Sequence, residues 1–245
     1  MSKVGSITAF AAEASLWLAG AAIIAGAAGA HWDTPSVDVN SLIAQAWPGA
    51  SPSLVPSYTS KVTASDFQAS GSIAGTFTVT IGGQNTDGTY SGAFKIKGND
   101  SSSTVTLALG GSTTIGDQVS VGGSDYSRTN NGKWTKTASS STGLSFTRLT
   151  AGGVTDKGVE THNGQRLHHL NLVIQPTAKS LFSDANMATG TYTVVLWAKD
   201  DGTPAGMTVS GSWSQEVNGA PAQTTISLDY NFDALSGVTI EAPTT

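Results

Sequence analysis

The sequence predicts a mainly β, antiparallel protein of roughly ten strands, and three observations carry that expectation. Ser, Thr and Gly supply 92 of 245 residues while only 12% are charged. A chain poor in Lys, Glu and Leu but rich in Thr, Ser and Val favours strands and turns over long helices. From residue 60 onward apolar residues recur at every second position, the period of a pleated strand with one buried face. Between these runs lie short clusters of Gly, Asn, Asp and Ser, the chemistry of antiparallel hairpins.

The first thirty residues read as an export segment. Ala14 to Ala30 carries no charge, Lys3 lies upstream, and Ala28-Gly29-Ala30 is the small-x-small pattern that a signal peptidase accepts before His31. The run is barely long enough to cross a bilayer, so a cleaved signal ranks above a permanent anchor or a buried alanine-rich helix. Residues 31–56 hold four of the eight prolines and read as a tether. Within it Val37 to Trp47 is expected to form a short helix that Pro48-Gly49 ends. The remainder, residues 57–245, is expected to be one β domain.

In that domain Ile73, Phe77, Val79 and Ile81 alternate with Ala74, Thr76, Thr78 and Thr80. After the turn cluster Gly82 to Gly88 come Tyr90, Phe94 and Ile96, then Val105, Leu107 and Leu109, then Ile115, Val119 and Val121. Asn163-Gly164 joins Val159–Thr161 to Gln165–Ile174, and Asp201-Gly202 joins Thr191–Lys199 to Ala205–Ser214. Gln223–Phe232 carries Ile226, Leu228, Tyr230 and Phe232 on one face, and Val238–Ile240 closes an up-and-down order. Thr177 to Met187 reads as a helical or looped crossover. Ten half-apolar strands make one greasy face, which must be covered by a second sheet, by closure, by scarce helices or by an apolar ligand.

Chemistry is sparse. There is no cysteine, so no disulfide, thiolate metal site or lipid-modified cysteine is available. There is no Gly-x-Ser-x-Gly and no Gly-x-Gly, which removes the nucleophile elbow and the phosphate-cradling loops. Asp200-Asp201 precedes a hairpin glycine, where aspartate serves the backbone. His168 and His169 point to opposite faces of a strand, and His162 with His168 lacks an acidic third ligand, so no metal or other cofactor is expected. A net charge of −5 excludes electrostatic capture of nucleic acid. Trp134, Trp197 and Trp213 are more readily core or cavity lining than a sugar platform.

Four segments carry a resemblance. They are Val121–Arg128 with Gly132-Lys133-Trp134; Asp156–Thr161 with Asn163-Gly164; Val195–Pro204; and Leu228–Phe232 leading to Val238-Thr239-Ile240 and Pro243. In that order they resemble the LppX/LprG group of bacterial envelope lipoproteins and the wider LolA/LolB-like superfamily, over roughly residues 60–243. The resemblance implies a strongly curved antiparallel half-barrel with a few short helices on its concave side and an apolar cavity. It implies a non-catalytic extracytoplasmic carrier or sensor for a lipid or other hydrophobic ligand, with membrane or envelope proteins as further partners. Relatives usually bear a lipobox cysteine after the signal, and this chain has none, so any tether must be its own N-terminal segment. A structural or interaction module with a filled core is the competing reading, followed by a carbohydrate-binding module and last an enzyme. The residues expected to face the hollow are Phe77, Phe94, Leu107, Phe146, Leu170, Leu172, Val195, Trp197 and Trp213.

Overall fold

A computed structural model describes residues 54–138, 146–173, 191–217 and 220–244. Eleven strands form one sheet. They are β1 (Gln68–Ile81), β2 (Gln84–Lys97), β3 (Asp100–Leu109), β4 (Ser112–Val121), β5 (Ser124–Thr129) and β6 (Thr135–Ala138), then β7 (Val154–His162), β8 (Gln165–Leu172), β9 (Thr191–Ala198), β10 (Pro204–Val217) and β11 (Ala220–Ala234). Among the described residues two short helices join them, α1 (Leu54–Val62) before β1 and α2 (Phe146–Ala151) before β7. The expected export segment, the Val37–Trp47 helix and the Thr177–Met187 crossover lie outside the described residues.

The order across the sheet is β6-β5-β4-β3-β2-β1-β11-β10-β9-β8-β7, antiparallel at every pair. This differs from a single up-and-down meander. Two meanders run in opposite senses and meet where β1 pairs with β11, Phe77 facing Ile226 and Ile73 facing Tyr230. The strand count also differs from the sequence reading. The chain adds β5 and β6, and Val238–Ile240 is not a strand; instead Val238 is buried and its amide donates to Gln68 Oε1 at 3.0 Å. Edges β6 and β7 do not pair, so the sheet is open rather than a closed barrel.

Turn chemistry accounts for the hairpins. Asn163 and Gly164 have φ of 48° and 76°, positive at both central positions as a type I′ turn demands. Gly82-Gly83, Gly110-Gly111 and Gly122-Gly123 repeat the pattern. A two-residue turn pins register, because the flanking residues must pair. Gly110-Gly111 thus sets Leu109 against Ser112 and Leu107 against Thr114.

Residues directly paired across strands share a face, so one face can be followed through the whole sheet. Its buried apolar residues include Ile73, Phe77, Tyr90, Phe94, Val105, Leu107, Leu170, Leu196, Val209, Trp213, Ile226 and Tyr230, and they form one cluster. This is the inner face. α1 adds Leu54, Val55, Tyr58 and Val62 to the same cluster, and α2 adds Phe146. The positions 54, 55, 58 and 62 have helical spacing, a signal in the sequence that reading 31–56 as tether passes over. α1 therefore runs across the boundary expected at residue 56.

Inner-face glycines let the sheet bend over this core. A Cβ on Gly75 would overlap the Ser227 carbonyl oxygen, and one on Gly92 would overlap that of Thr104. Backbones approach there as only glycine permits, the device by which sheets coil. A register shift between Ser70 and Gly71 adds a further irregularity to β1.

Candidate functional site

The inner face is the candidate binding surface, and its centre is a chain of aromatic rings. Phe67 and Phe146 meet edge to face at 5.4 Å, Phe146 and Phe232 at 6.1 Å, Phe232 and Phe94 at 5.7 Å, and Phe94 and Tyr230 at 5.7 Å. Trp213 stacks with Tyr192 at 6.4 Å further along the same face. Edge-to-face contacts of this kind are favourable beyond simple burial.

Seven of the nine residues expected to face a hollow belong to this inner cluster: Phe77, Phe94, Leu107, Phe146, Leu170, Leu172 and Trp213. Phe146 reaches it from helix α2 rather than from a strand. The register corrects the other two. Leu196 pairs with Leu170 and Met207, so Val195 and Trp197 point to the opposite, outer face. Both alternate sets in β9 are apolar, which leaves periodicity unable to choose between them. The residues expected to face the hollow also leave out Tyr58, Tyr192, Met207, Val209 and Tyr90, the last of them read only as an apolar strand position, and all five are buried in the same cluster.

The inner face changes character toward β4. Thr114, Gly116, Gln118 and Ser120 are its inward residues there, whereas Ile115, Val119 and Val121 face outward. The sequence reading of those three as a continuation of the apolar face is therefore corrected. Hairpin arithmetic from Gly110-Gly111 was the available signal. Ser101, Ser103, Thr114 and Ser120 are buried, and Ser120 Oγ donates to Asp125 Oδ1 at 2.5 Å. One end of the inner face is thus hydroxyl-lined and the rest apolar.

Trp197 anchors a separate outer-face network. The residue is 6% exposed, and its ring lies against His162 at 4.1 Å, nearly parallel, with His169 at 5.1 Å. Its Nε1 donates to Thr208 Oγ1 at 2.9 Å, and Thr208 donates to Asp229 Oδ1 at 2.6 Å. His169 Nδ1 is 3.0 Å from Glu160 Oε1, and His162 Nε2 is 3.6 Å from Asp229 Oδ1. His168 stands on the inner face, 2.8 Å from Asp156 and 3.2 Å from Asp200. Among the described residues no three His, Asp or Glu side chains are grouped to hold a metal. These imidazoles tie strands together.

Two further features frame the inner face. Gly202 of the β9–β10 turn packs on α1, where Ser57 Oγ and Lys61 Nζ each donate to the Asp201 carbonyl at 3.0 Å. Hydrogen bonds from Thr203, then the Lys61 charge, hold the exposed Asp201 carboxyl below the ordinary aspartate range. On the outer side an open groove of about 590 Å³ lies over the Gly110-Gly111 turn, lined in part by Thr76, Thr78, Asp87 and Thr89. It is a threonine-lined surface depression, unlike the apolar interior.

Among the described residues no helix is long and apolar enough to cross a membrane. No family model matches the chain, and no curated protein is significantly similar to it. Among solved structures it is similar to the lipoprotein LppX of Mycobacterium tuberculosis, at 12% identity and a TM-score of 0.39, over 78% of this chain and 100% of that one. It is similar to a DUF1329 family protein of Desulfovibrio piger at 14% identity and a TM-score of 0.26, over 75% of this chain and 95% of the other. A LolA superfamily protein of Nitrosomonas europaea matches at 12% identity and a TM-score of 0.26, over 76% and 94% of the two chains. LppX and the LolA superfamily are the groups that the sequence motifs resemble.

Proposed function

We propose that this chain is a non-catalytic, exported binding protein that holds a lipid or other apolar ligand against the inner face of its open sheet. One observation carries the reading: a single apolar face continues from β3 through β1 and β11 to β8, on a sheet whose two edges stay unpaired. Helices α1 and α2 contribute only a few residues to the cover of so long a face, and an apolar ligand held between sheet and helices would share that cover. The uncharged Ala14–Ala30 run and Ala28-Gly29-Ala30 support an extracytoplasmic location, with the mature chain starting near His31. Residues 31–53 then serve as a tether to a β domain whose first element is α1. Membrane or envelope proteins are the partners from which such a carrier would load.

Native mass spectrometry of the protein purified from its own host tests this, by looking for co-purified lipid on a chain beginning near His31. Leu170, fully buried, and Leu172 supply the discriminating variants. Leu170→Trp or Leu172→Trp should lower lipid occupancy while folding is retained, because a ligand hollow has room. In a filled core the same change overpacks and costs about 1–3 kcal/mol or more. Loss of stability in the variants, with no lipid on the parent, would replace the carrier with a structural or interaction module.

A further inference from the structure

Three phenols stand inside the apolar cluster with hydroxyls that have no hydrogen-bond partner: Tyr58 at 0% exposure, and Tyr90 and Tyr230 at 2% each. A buried hydroxyl without a partner forfeits its hydration for nothing and calls for an explanation. Two of the three are neighbours. Tyr90 on β2 pairs with Gly75 of β1, and Tyr230 on β11 pairs with Ile73 of β1. Both rings therefore rise from the inner face on either side of one strand, two residues out of step. Phe94 holds Tyr230 edge to face. Burial, and for Tyr230 also the proximity of Tyr90, keeps both phenols protonated well above the ordinary tyrosine range. Both are therefore standing donors.

What they await must be an acceptor, and a neutral one. Strands β3, β2, β1, β11, β10 and β9 place no lysine or arginine on the inner face. An ionised carboxylate beside these strands would find no lysine or arginine on them to pair with, at a large desolvation penalty. A saturated hydrocarbon would leave both hydroxyls as they are. Resting on the carrier reading above, we infer that Tyr90 and Tyr230 form a two-donor anchor for an uncharged carbonyl oxygen, of ester type, set within the apolar body of the ligand. The pair thereby selects against both free fatty acids and plain hydrocarbons.

The experiment uses the full chain, stripped of bound lipid, with displacement of the neutral fluorophore N-phenyl-1-naphthylamine as readout. The probes are octyl octanoate, heptadecane of matched length, and hexadecanoate at pH 8. Octyl octanoate should displace the fluorophore at a concentration roughly tenfold lower than heptadecane, the yield of two net hydrogen bonds. Hexadecanoate should be weaker than the ester. In the Tyr90→Phe/Tyr230→Phe double variant the advantage of the ester should shrink to within about twofold. The ligand-free variant should also melt a few degrees higher, because two unsatisfied hydroxyls are gone. That opposite pair of effects, weaker ester binding with a more stable empty protein, is one that a merely structural role does not produce. Equal displacement by ester and alkane, or a lower melting temperature in the variant, overturns the anchor while leaving the carrier reading intact. Failure of every probe to displace, or of the fluorophore to bind, overturns both.

Discussion

Replacing Gly92 by alanine tests the bend of the sheet. Alanine normally favours a strand over glycine by about 0.5–1 kcal/mol, since the unfolded chain has less freedom to lose. Position 92 should reverse that sign. Its added Cβ would overlap the Thr104 carbonyl oxygen and stand 2.9 Å from Val105 Cα and 3.1 Å from the Thr104 carbonyl carbon. An unstrained carbon-to-oxygen approach is about 3.3–3.6 Å, so the β3 backbone must retreat by roughly 1 Å. Val105 pairs with Gly92 in this ladder, and the obstacle is backbone that cannot rotate away. Overpacking costs about 1–3 kcal/mol, and each ladder hydrogen bond stretched adds up to about 1 kcal/mol. The net expectation is destabilisation by about 1–3 kcal/mol after the propensity gain is subtracted. Urea unfolding followed by circular dichroism measures it as a lower midpoint at unchanged slope. The control is Ala93→Gly, an exposed neighbour on the outer face, which should lose about 0.5–1 kcal/mol from backbone entropy alone. If Gly92→Ala matches or exceeds the parent in stability, β2 and β3 are not pinched there and the curvature needs another cause.

Two further outcomes follow from local geometry. Gly164→Val places a β-branched residue at a φ of 76° and should destabilise by roughly 1–3 kcal/mol; an unchanged melting temperature would show that the β7–β8 hairpin does not use this turn. Burial raises the Tyr58, Tyr90, Tyr192 and Tyr230 phenols above the ordinary range. The unfolded chain then releases these protons first, so stability is complete below about pH 10 and falls as pH rises above it. Absorbance at 295 nm should show these phenols ionising only together with loss of the circular dichroism signal, and ionisation of all tyrosines in an intact fold would contradict their burial.

Much of this molecule is written locally. The alternation of Ile73, Phe77 and Val79 with threonines, and the glycine pairs between runs, identify strands and hairpins because pleat and turn dihedrals depend only on neighbouring residues. The two-residue turns even carry the register, so the polar inner side of β4 was legible from Gly110-Gly111. Helical spacing at Leu54, Val55, Tyr58 and Val62 was legible as well, although Pro56 makes the stretch read as tether. Other features had no local trace. β1 pairs with β11, whose residues lie some 150 positions away, and nothing near either strand announces the partner. β9 is apolar on both sides, so its neighbours decide that Tyr192, Val194 and Leu196 turn inward while Trp197 turns out to meet His162, His169 and Thr208. The unpartnered Tyr90 and Tyr230 hydroxyls likewise come to light only when two strands settle on either side of β1. The sequence determined the strands, their turns and the apolar parity within each, since backbone sterics act over a few residues. Tertiary structure decided which strands meet and which apolar set is buried, because those choices depend on packing between segments that the chain itself holds far apart.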